Sequence, residues 1–123
     1  MAPPDDPEAE LKKAEEFKVQ GNEHFKSKFE FINFLDAQYD KALECYSEAI
    51  YCNVPATNKA IYYCNRALVS IRTENYALAL FDAKDAIKKD EMNVKAYYRR
   101  GSAHLALNQI ELAIKDFRCV CKM

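Results

Sequence analysis

The sequence predicts an all-α domain made of three consecutive helix–turn–helix units. The interval from Tyr63 to Tyr97 equals the interval from Ala79 to Ala113. It matches the period of about 34 residues that one helix–turn–helix unit occupies in a stacked helical array. The chain has 123 residues, half of them hydrophobic, which suits one domain with a modest core.

A second observation is that small and aromatic residues recur together when the units are numbered from Ala14, Ala60 and Val94. Large residues that face small ones allow neighbouring helices to interdigitate. At positions 4, 8, 20, 24 and 27 of the units, the recurring residues are Phe17, Tyr63 and Tyr97; Gly21, Ala67 and Gly101; Ala42, Ala79 and Ala113; Tyr46, Ala83 and Phe117; and Ala49, Ala86 and Val120.

Six helices follow from these units. We expect them near residues 9–28, 38–52, 57–72, 76–89, 94–106 and 109–122. Asn75 and Asn108 are the expected N-caps of the fourth and sixth helices, and Glu111 completes an approximate capping box with Asn108. Residues 1–8 are expected to form a disordered acidic leader. The domain then covers residues 9–123, with repeats at about 14–52, 60–90 and 94–123.

The first unit is longer than the other two. The interval from Gly21 to Ala42 clearly exceeds the corresponding interval from Ala67 to Ala79. The insertion lies within residues 26–38, and its large apolar side chains are Phe29, Phe31, Ile32, Phe34 and Leu35. We expect these side chains to be buried against the first helix pair. The alternative is an exposed apolar patch for a partner or for self-association.

Composition narrows the possible functions. The net charge is −1, so the basic excess of a general nucleic-acid binder is absent. No apolar run is long enough to span a bilayer, and the acidic N-terminus does not resemble a secretory signal. We therefore expect a cytoplasmic protein, with the nucleus as a second location. The five cysteines are odd in number and form no CxxC, which favours reduced, packed thiols over disulfides or a zinc site.

The recurring positions resemble the tetratricopeptide-repeat family across residues 14–123. This resemblance implies three repeats stacked in a right-handed superhelix, and a protein-binding module rather than an enzyme. Two features depart from the family pattern. The proline near the end of a unit is missing, with Glu91 there in the second unit, and the first unit carries the insertion.

A polar stripe runs along the first helices of the units. Residues three or four apart share a helical face, so Lys18 lies beside Asn22, and Lys95 beside Arg99. Asn65 occupies the same position in unit two as Arg99 does in unit three. Three cations and two carboxamides should therefore converge on one groove, and we call these five residues the groove stripe.

The groove stripe favours an anion with two acceptor groups. Lysine supplies a point charge, arginine a planar fork and asparagine an orienting donor. The C-terminal Asp of an acidic peptide has both a main-chain and a side-chain carboxylate, and its capture is a recurring recognition mode. Glu15, near the end of the stripe, is its one acidic residue. The alternative is that the stripe is only a solvated helical face.

The stripe resembles the dicarboxylate clamp of chaperone-binding tetratricopeptide domains through the segments K-V-Q-G-N, N-R-A and K-A-Y-Y-R. The resemblance implies binding of the EEVD-type C-terminal tails of ninety- and seventy-kilodalton heat-shock proteins. The peptide-binding residues that it implies are Lys18, Asn22, Asn65, Lys95, Arg99, Phe25 and Leu68. The first three would hold the main-chain carboxylate, the next two the side-chain carboxylate, and the last two the Val before the terminal Asp.

The stretches AEEFK, AIYYCNRAL, RTENYALAL and VKAYYRRG resemble the regulatory domain of a family of serine/threonine phosphatases. Myosin chaperones of the UNC class and other co-chaperones have similar sequences in these stretches. The domain is thus expected to be a co-chaperone adaptor or the regulatory part of a larger protein, such as a phosphatase whose catalytic domain lies outside this chain. A generic scaffold that binds another partner by shape is the alternative. We expect a monomer without a cofactor.

Two histidines and two arginines are expected to have structural roles. His24 and His104 fall at the eleventh position of their units, a packing position, so we expect core residues rather than catalytic groups or metal ligands. Arg66 and Arg100 lie off the groove stripe. Each is followed by an aspartate at the same spacing, and we expect two ion pairs within units, Arg66 with Asp82 and Arg100 with Asp116.

Overall fold

The computed structural model describes residues 6–27 and 35–123, and in these ranges all regular structure is helical. The helices are α1 (Pro7–Ser27), α2 (Leu35–Tyr51), α3 (Ala56–Arg72), α4 (Tyr76–Lys89), α5 (Val94–Ala106) and α6 (Ile110–Lys122). Each lies within a few residues of a predicted helix. No helix in the described part of the chain combines the length and the apolar character needed to cross a membrane.

The helices form three hairpins that stack in chain order. α1 packs on α2, α3 on α4 and α5 on α6, while α2 contacts α3 and α4 contacts α5 across the joints between units. α3 also contacts both α1 and α5. The first helices of the three units are therefore neighbours, and this neighbourhood brings the groove stripe together.

Close approach of helices within a unit depends on a missing side chain. A Cβ atom on Gly21 would lie 2.5 Å from Cε1 of Tyr46, and one on Gly101 would lie 2.7 Å from Cε1 of Phe117. Both distances are shorter than carbon atoms tolerate. The predicted facing of large and small residues is therefore confirmed in units one and three.

Alanine dominates the joints between units. The joint between units two and three buries Ala60, Cys64, Ala86 and Ala96, with Tyr63 and Ile87 packed against them. Small side chains let the helix axes approach, and dispersion contacts between closely packed atoms then stabilise the stack.

The chain enters α1 earlier than predicted. The helix begins at Pro7, so the predicted leader of residues 1–8 extends too far into the chain. Asp6 acts as N-cap, because its Oδ1 accepts a hydrogen bond of 3.1 Å from the backbone N–H of Glu8. Pro7 has the φ that a first helical residue needs and loses no helical hydrogen bond there. Residues 1–5 lie outside the described residues.

The prediction that Asn108 caps α6 is wrong. Asn108 has a φ of 62°, which is the left-handed conformation, and the N-cap is Gln109. The backbone N–H groups of Asn108 and Gln109 bond back to Leu105 and His104 at 3.0 Å and 2.8 Å. These bonds form a Schellman motif that ends α5, so the residue after the left-handed one must start the next helix. The capping box of Asn108 with Glu111 is therefore wrong as well.

The turn before α4 has the same geometry. Glu74 has a φ of 63°, and the N–H of Asn75 bonds to the carbonyl of Ser70 at 2.7 Å. Asn75 occupies the predicted N-cap position, but its side chain makes no capping bond. Asn93 does cap its helix, since its side chain accepts from the N–H of Ala96 at 3.1 Å.

Both predicted ion pairs are confirmed. The guanidinium of Arg66 donates two hydrogen bonds to Asp82, of 2.9 Å and 2.8 Å, and a third to Ser47. Arg100 donates two to Asp116, of 2.9 Å and 2.7 Å. Both aspartates are buried, so these pairs are internal parts of the fold.

Asp82 and Arg66 affect each other's titration. Burial raises the pKa of Asp82, although the bonds from Arg66 act in the opposite direction. The hydrogen bonds to Asp82 raise the pKa of Arg66. Burial disfavours the charged form of Asp82, and the hydrogen bonds from Arg66 stabilise that form.

His104 is buried, as predicted, and its Nδ1 is 2.7 Å from Oε1 of Gln109. His24 is partly buried, with Nδ1 3.0 Å from Oε1 of Gln38. The segment 28–34 falls outside the described residues, and so do all five large apolar side chains of the insertion. The expectation that the insertion is buried therefore stays a prediction.

Candidate peptide-binding groove

Asn22 and Asn65 meet at the contact between α1 and α3. Nδ2 of Asn65 donates to Oδ1 of Asn22 at 3.5 Å, and the hydroxyl of Tyr46 donates to the same oxygen at 2.6 Å. The carbonyl end of the Asn22 side chain is therefore held by the protein. Its N–H₂ end remains a donor, and Asn22 is exposed.

Lys18 lies one turn before Asn22 and has an acidic neighbour. Its Nζ is 2.7 Å from Oε2 of Glu15. The other oxygen of Glu15 accepts from the hydroxyl of Tyr62 at 2.7 Å and from Nδ2 of Asn58 at 3.2 Å. The hydrogen bond from Lys18 is the largest cause that lowers the pKa of Glu15, and so this carboxylate is charged at neutral pH. Glu15 thus fixes the position of the Lys18 ammonium group.

Arg99 lies in a cleft with a volume of about 390 Å³. Leu68 and Ile71 of α3, Tyr76 of α4 and Tyr98 of α5 line it together with Arg99. The guanidinium carbon of Arg99 is 5.7 Å from the centre of the Tyr98 ring, which is within the range of a cation–π contact. We call this the Arg99 cleft; it places predicted residues Leu68 and Arg99 side by side.

The Nε atom of Arg99 is buried and has no hydrogen-bond partner within the described residues. Burial is also the largest cause that lowers the pKa of Arg99. No carboxylate of residues 6–27 or 35–123 lies within 4.0 Å of this guanidinium. An arginine keeps its charge under these conditions. Arg72 and Glu74 also line the cleft, so Arg99 is a cation with an acidic residue in its cleft but with no carboxylate of the described residues at ion-pair distance.

Lys95 is exposed one turn before Arg99 on α5. Both cations act on the thiol of Cys64, although burial outweighs them and raises its pKa to about 11. Cys64 therefore stays a neutral thiol at physiological pH. Lys95 and Arg99 are four residues apart and so share one face of α5, and Arg99 borders the same cleft as Leu68 and Ile71 of α3.

The structure separates Phe25 from this cleft. Phe25 packs against the core cluster of Tyr39, Ala42, Tyr46 and Val69. Its ring centre is 6.1 Å from that of Tyr39. Phe25 does not line the Arg99 cleft, which receives its apolar surface from Leu68, Ile71 and the tyrosines instead.

The residues that support the stripe are those that the sequence analysis misses. The repeat pattern predicts that the ring of Tyr46 packs between helices, but it predicts no contact for its hydroxyl. It does not predict that Tyr98 and Tyr76 line the groove. The spacing of the units could have found Tyr98, since it is next to Arg99. Tyr46 approaches from the second helix of its unit, so helical periodicity in α1 gives no signal for it.

Comparison with known proteins places this geometry in a family. A model of the tetratricopeptide repeat matches residues 94–123. Rat serine/threonine-protein phosphatase 5 is 42% identical over 123 residues, which cover 98% of this chain and 22% of that protein. The solved Arabidopsis OM64 TPR domain is 36% identical, with a TM-score of 0.76, over 90% of this chain and 82% of that one. The first TPR of Spaghetti (RPAP3), bound to the HSP90 peptide SRMEEVD, is 31% identical, with a TM-score of 0.78, over 91% and 81%.

The two solved domains decide the family, because their identities of 36% and 31% extend over more than four fifths of each domain. The chain belongs to the tetratricopeptide-repeat family. The predicted all-α fold of three stacked repeats in a right-handed superhelix is thereby confirmed. The predicted similarity of this TPR domain to serine/threonine phosphatases is confirmed too, and the chain spans about a fifth of the length of the relative that it matches.

Proposed function

We propose that this TPR domain binds the acidic C-terminal tails of ninety- and seventy-kilodalton heat-shock proteins through the groove stripe. The observation that carries the proposal is the state of Arg99. Its guanidinium is largely buried and its Nε lacks a partner among the described side chains. Arg99 as a whole is only partly buried, so an anion that enters the groove can bond to the outer N–H groups of its guanidinium and would compensate the desolvation of the charge.

The arrangement of the groove stripe favours a ligand that has two carboxylates rather than one. Lys18, Asn22 and Asn65 form one donor group at the contact of α1 with α3, and Lys95 with Arg99 forms a second on α5. A terminal Asp has two carboxylates close together, which matches two donor groups. The solved TPR domain bound to SRMEEVD has this kind of ligand and the same fold.

The Arg99 cleft supports a tail with an apolar residue near its end. Leu68 and Ile71 give the cleft aliphatic surface, and Tyr98 gives it an aromatic wall. A valine side chain next to the terminal Asp can pack on such a surface while the carboxylate bonds to Arg99. Leu68 lines this cleft, whereas Phe25 is partly buried against the core cluster of Tyr39, Ala42, Tyr46 and Val69, and its predicted contact with the peptide valine stays a prediction.

A calorimetric titration with SRMEEVD and with its C-terminally amidated form tests the proposal. The free acid should bind through charge-assisted hydrogen bonds, and amidation should weaken binding because Lys18, Asn22 and Asn65 lose their anion. Raising the salt concentration should weaken binding of the free acid, but less steeply than for a fully exposed ion pair. Equal binding of both peptides would contradict the proposal and would favour a scaffold that recognises its partner by shape.

We assign no catalytic step to this domain. Its proposed role is that of an adaptor or regulatory part, and any phosphatase activity would belong to a catalytic domain outside this chain. The likeness to the phosphatase supports this division, since the chain corresponds to 22% of that protein. Assay of this domain alone for phosphatase activity should give none. A cytoplasmic location, with the nucleus as a second one, belongs to the same proposal.

A further inference from the structure

We propose that Tyr46 is a positioning residue of the groove: its hydroxyl orients the side chain of Asn22 so that the N–H₂ group faces the terminal carboxylate of a bound peptide. The inference rests on the proposed function. It adds a residue from the second helix of the unit, which does not belong to the groove stripe.

The geometry fixes which end of Asn22 faces outward. The Tyr46 hydroxyl is 2.6 Å from Oδ1 of Asn22, and Nδ2 of Asn65 donates to the same oxygen. Two donors on one side select the carbonyl oxygen there, because an amide N–H₂ group cannot accept hydrogen bonds. The N–H₂ group is then on the other side of the amide from both donors, and since Asn22 is exposed we infer that this group faces the groove.

The position of the hydroxyl depends on Gly21. Tyr46 is almost fully buried, and its ring occupies the space that a Cβ on Gly21 would take. The ring thus passes beneath α1 beside the residue that precedes Asn22. Its hydroxyl reaches Oδ1 of Asn22, the residue that follows Gly21. Burial raises the pKa of Tyr46 to about 12, so the phenol remains a donor throughout the physiological pH range.

The third repeat shows that packing alone does not require the hydroxyl. There Phe117 occupies the equivalent position and packs against Gly101 in the same way, with its Cε1 2.7 Å from a Cβ built on the glycine. The residue that follows this glycine is Ser102, which is not part of the groove stripe. The hydroxyl is therefore present in the repeat in which a stripe asparagine follows the glycine.

The second repeat agrees with this interpretation. Its equivalent residues are Ala67, Leu68 and Ala83, so it has neither a large ring nor an asparagine at these positions. Across three repeats, a phenol at this position occurs only beside Asn22. Packing against glycine explains the ring in units one and three, and the bond to Asn22 uses the hydroxyl in unit one.

The test is the substitution Tyr46→Phe, which keeps the ring that fits Gly21 and removes only the hydroxyl. Loss of one hydrogen bond that orients a binding group should weaken SRMEEVD binding roughly three- to tenfold in a calorimetric titration. Tyr97→Phe is the matched control, because Tyr97 recurs at position 4 of the units, lies against Arg100 and is not part of the groove stripe. The affinity of this variant should equal that of the unchanged domain. Urea denaturation of each variant establishes that it is folded at the temperature of the titration.

A double substitution separates positioning from a general effect on the fold. If Tyr46 acts through Asn22, then Tyr46→Phe should change the affinity less than twofold when Asn22→Ala is already present. An undiminished three- to tenfold loss in that background would overturn the proposal, because Tyr46 would then act independently of Asn22. Full affinity of the Tyr46→Phe single variant would overturn it too.

The failure of this inference is distinguishable from the failure of the proposed function. If the unchanged domain does not bind SRMEEVD, the proposed function is wrong. The orientation of Asn22 can still be measured without peptide, by NMR of its side-chain N–H₂ group. The two N–H₂ signals should shift on Tyr46→Phe and stay in place on Tyr97→Phe, and unchanged Asn22 signals in the Tyr46 variant would contradict the orienting bond.

Discussion

Arg99 and Arg100 are consecutive residues of α5, yet their guanidinium groups have opposite environments. Arg100 donates two hydrogen bonds to Asp116, an aspartate that is only 2% exposed. Arg99 lies in a cleft, and its buried Nε has no partner in the described part of the chain. Arg66, in the preceding unit, repeats the paired arrangement with Asp82.

The difference separates two kinds of charge in this fold. The paired arginines connect the two helices of a unit; their aspartates are buried, while the arginine side chains stay partly exposed, at 27% and 26%. Such a charge belongs to the fold, because removal of one partner leaves the other buried and uncompensated. Arg99 makes no comparable contribution within the described residues. Its charge is available to a ligand, and we expect substitutions at the two arginines to affect different properties.

The largest expected effect on folding is that of Arg100→Ala. Asp116 would lose both strong donors, with His104 Nε2 left 3.9 Å away as the nearest remaining partner. We expect a loss of about 3 kcal/mol in the free energy of unfolding, measured by urea denaturation. The matched control is Arg99→Ala, one residue earlier in the same helix, which should change stability by less than about 1 kcal/mol. Equal losses for the two variants would remove the distinction between them.

A second prediction tests the packing that sets the helix spacing. Gly101→Ala should destabilise the domain by about 1–3 kcal/mol, because the new Cβ would overlap the ring of Phe117. In a Phe117→Ala background the overlap disappears, and the same change should be neutral or slightly stabilising, since alanine has the higher helix propensity. A similar loss in both backgrounds would mean that the ring is not the obstacle.

The smallest expected effect lies in the turns between paired helices. Glu74 has a φ of 63°, a conformation that glycine adopts without strain. Glu74→Gly should therefore stabilise the domain by about 0.5–1 kcal/mol. Asn108→Gly, at the equivalent turn with a φ of 62°, should give a smaller gain because asparagine tolerates this conformation better. The two gains can be compared by thermal unfolding of both variants. A loss of stability in Glu74→Gly would contradict the explanation that the left-handed conformation strains Glu74.

Much of the fold could be predicted because its signals are local or recur from one unit to the next. The helices follow from periodicity, and the ion pairs follow from arginine and aspartate occurring together in two units but not in the first. The cap at Asn108 could not be predicted from residue preference alone. Asparagine is favoured both as an N-cap and as the left-handed residue after a helix, and only the path of the chain decides between them.

The candidate site was predictable in part for a similar reason. Lys18, Asn22, Asn65, Lys95 and Arg99 lie on first helices, where spacing within each helix indicates a shared face. Glu15 is three residues before Lys18 and was visible in the sequence, whereas the contacts of Tyr46 with Asn22 and of Tyr98 with Arg99 became visible only with the structure. Phe25 has a helical position that suits either a groove or a core; it is partly buried and packs on Tyr39, and its role beside the peptide stays a prediction.

The most direct test of the distinction between the two arginines is calorimetric titration of SRMEEVD into Arg99→Ala and into the unchanged domain. We expect Arg99→Ala to lose about 2–5 kcal/mol of binding free energy, because a carboxylate of the peptide would be left partly desolvated and without its partner. We also expect its urea midpoint to stay close to that of the unchanged domain. Undiminished affinity for SRMEEVD in a folded Arg99→Ala variant would contradict the account, because the groove would then bind without the charge that the fold leaves available.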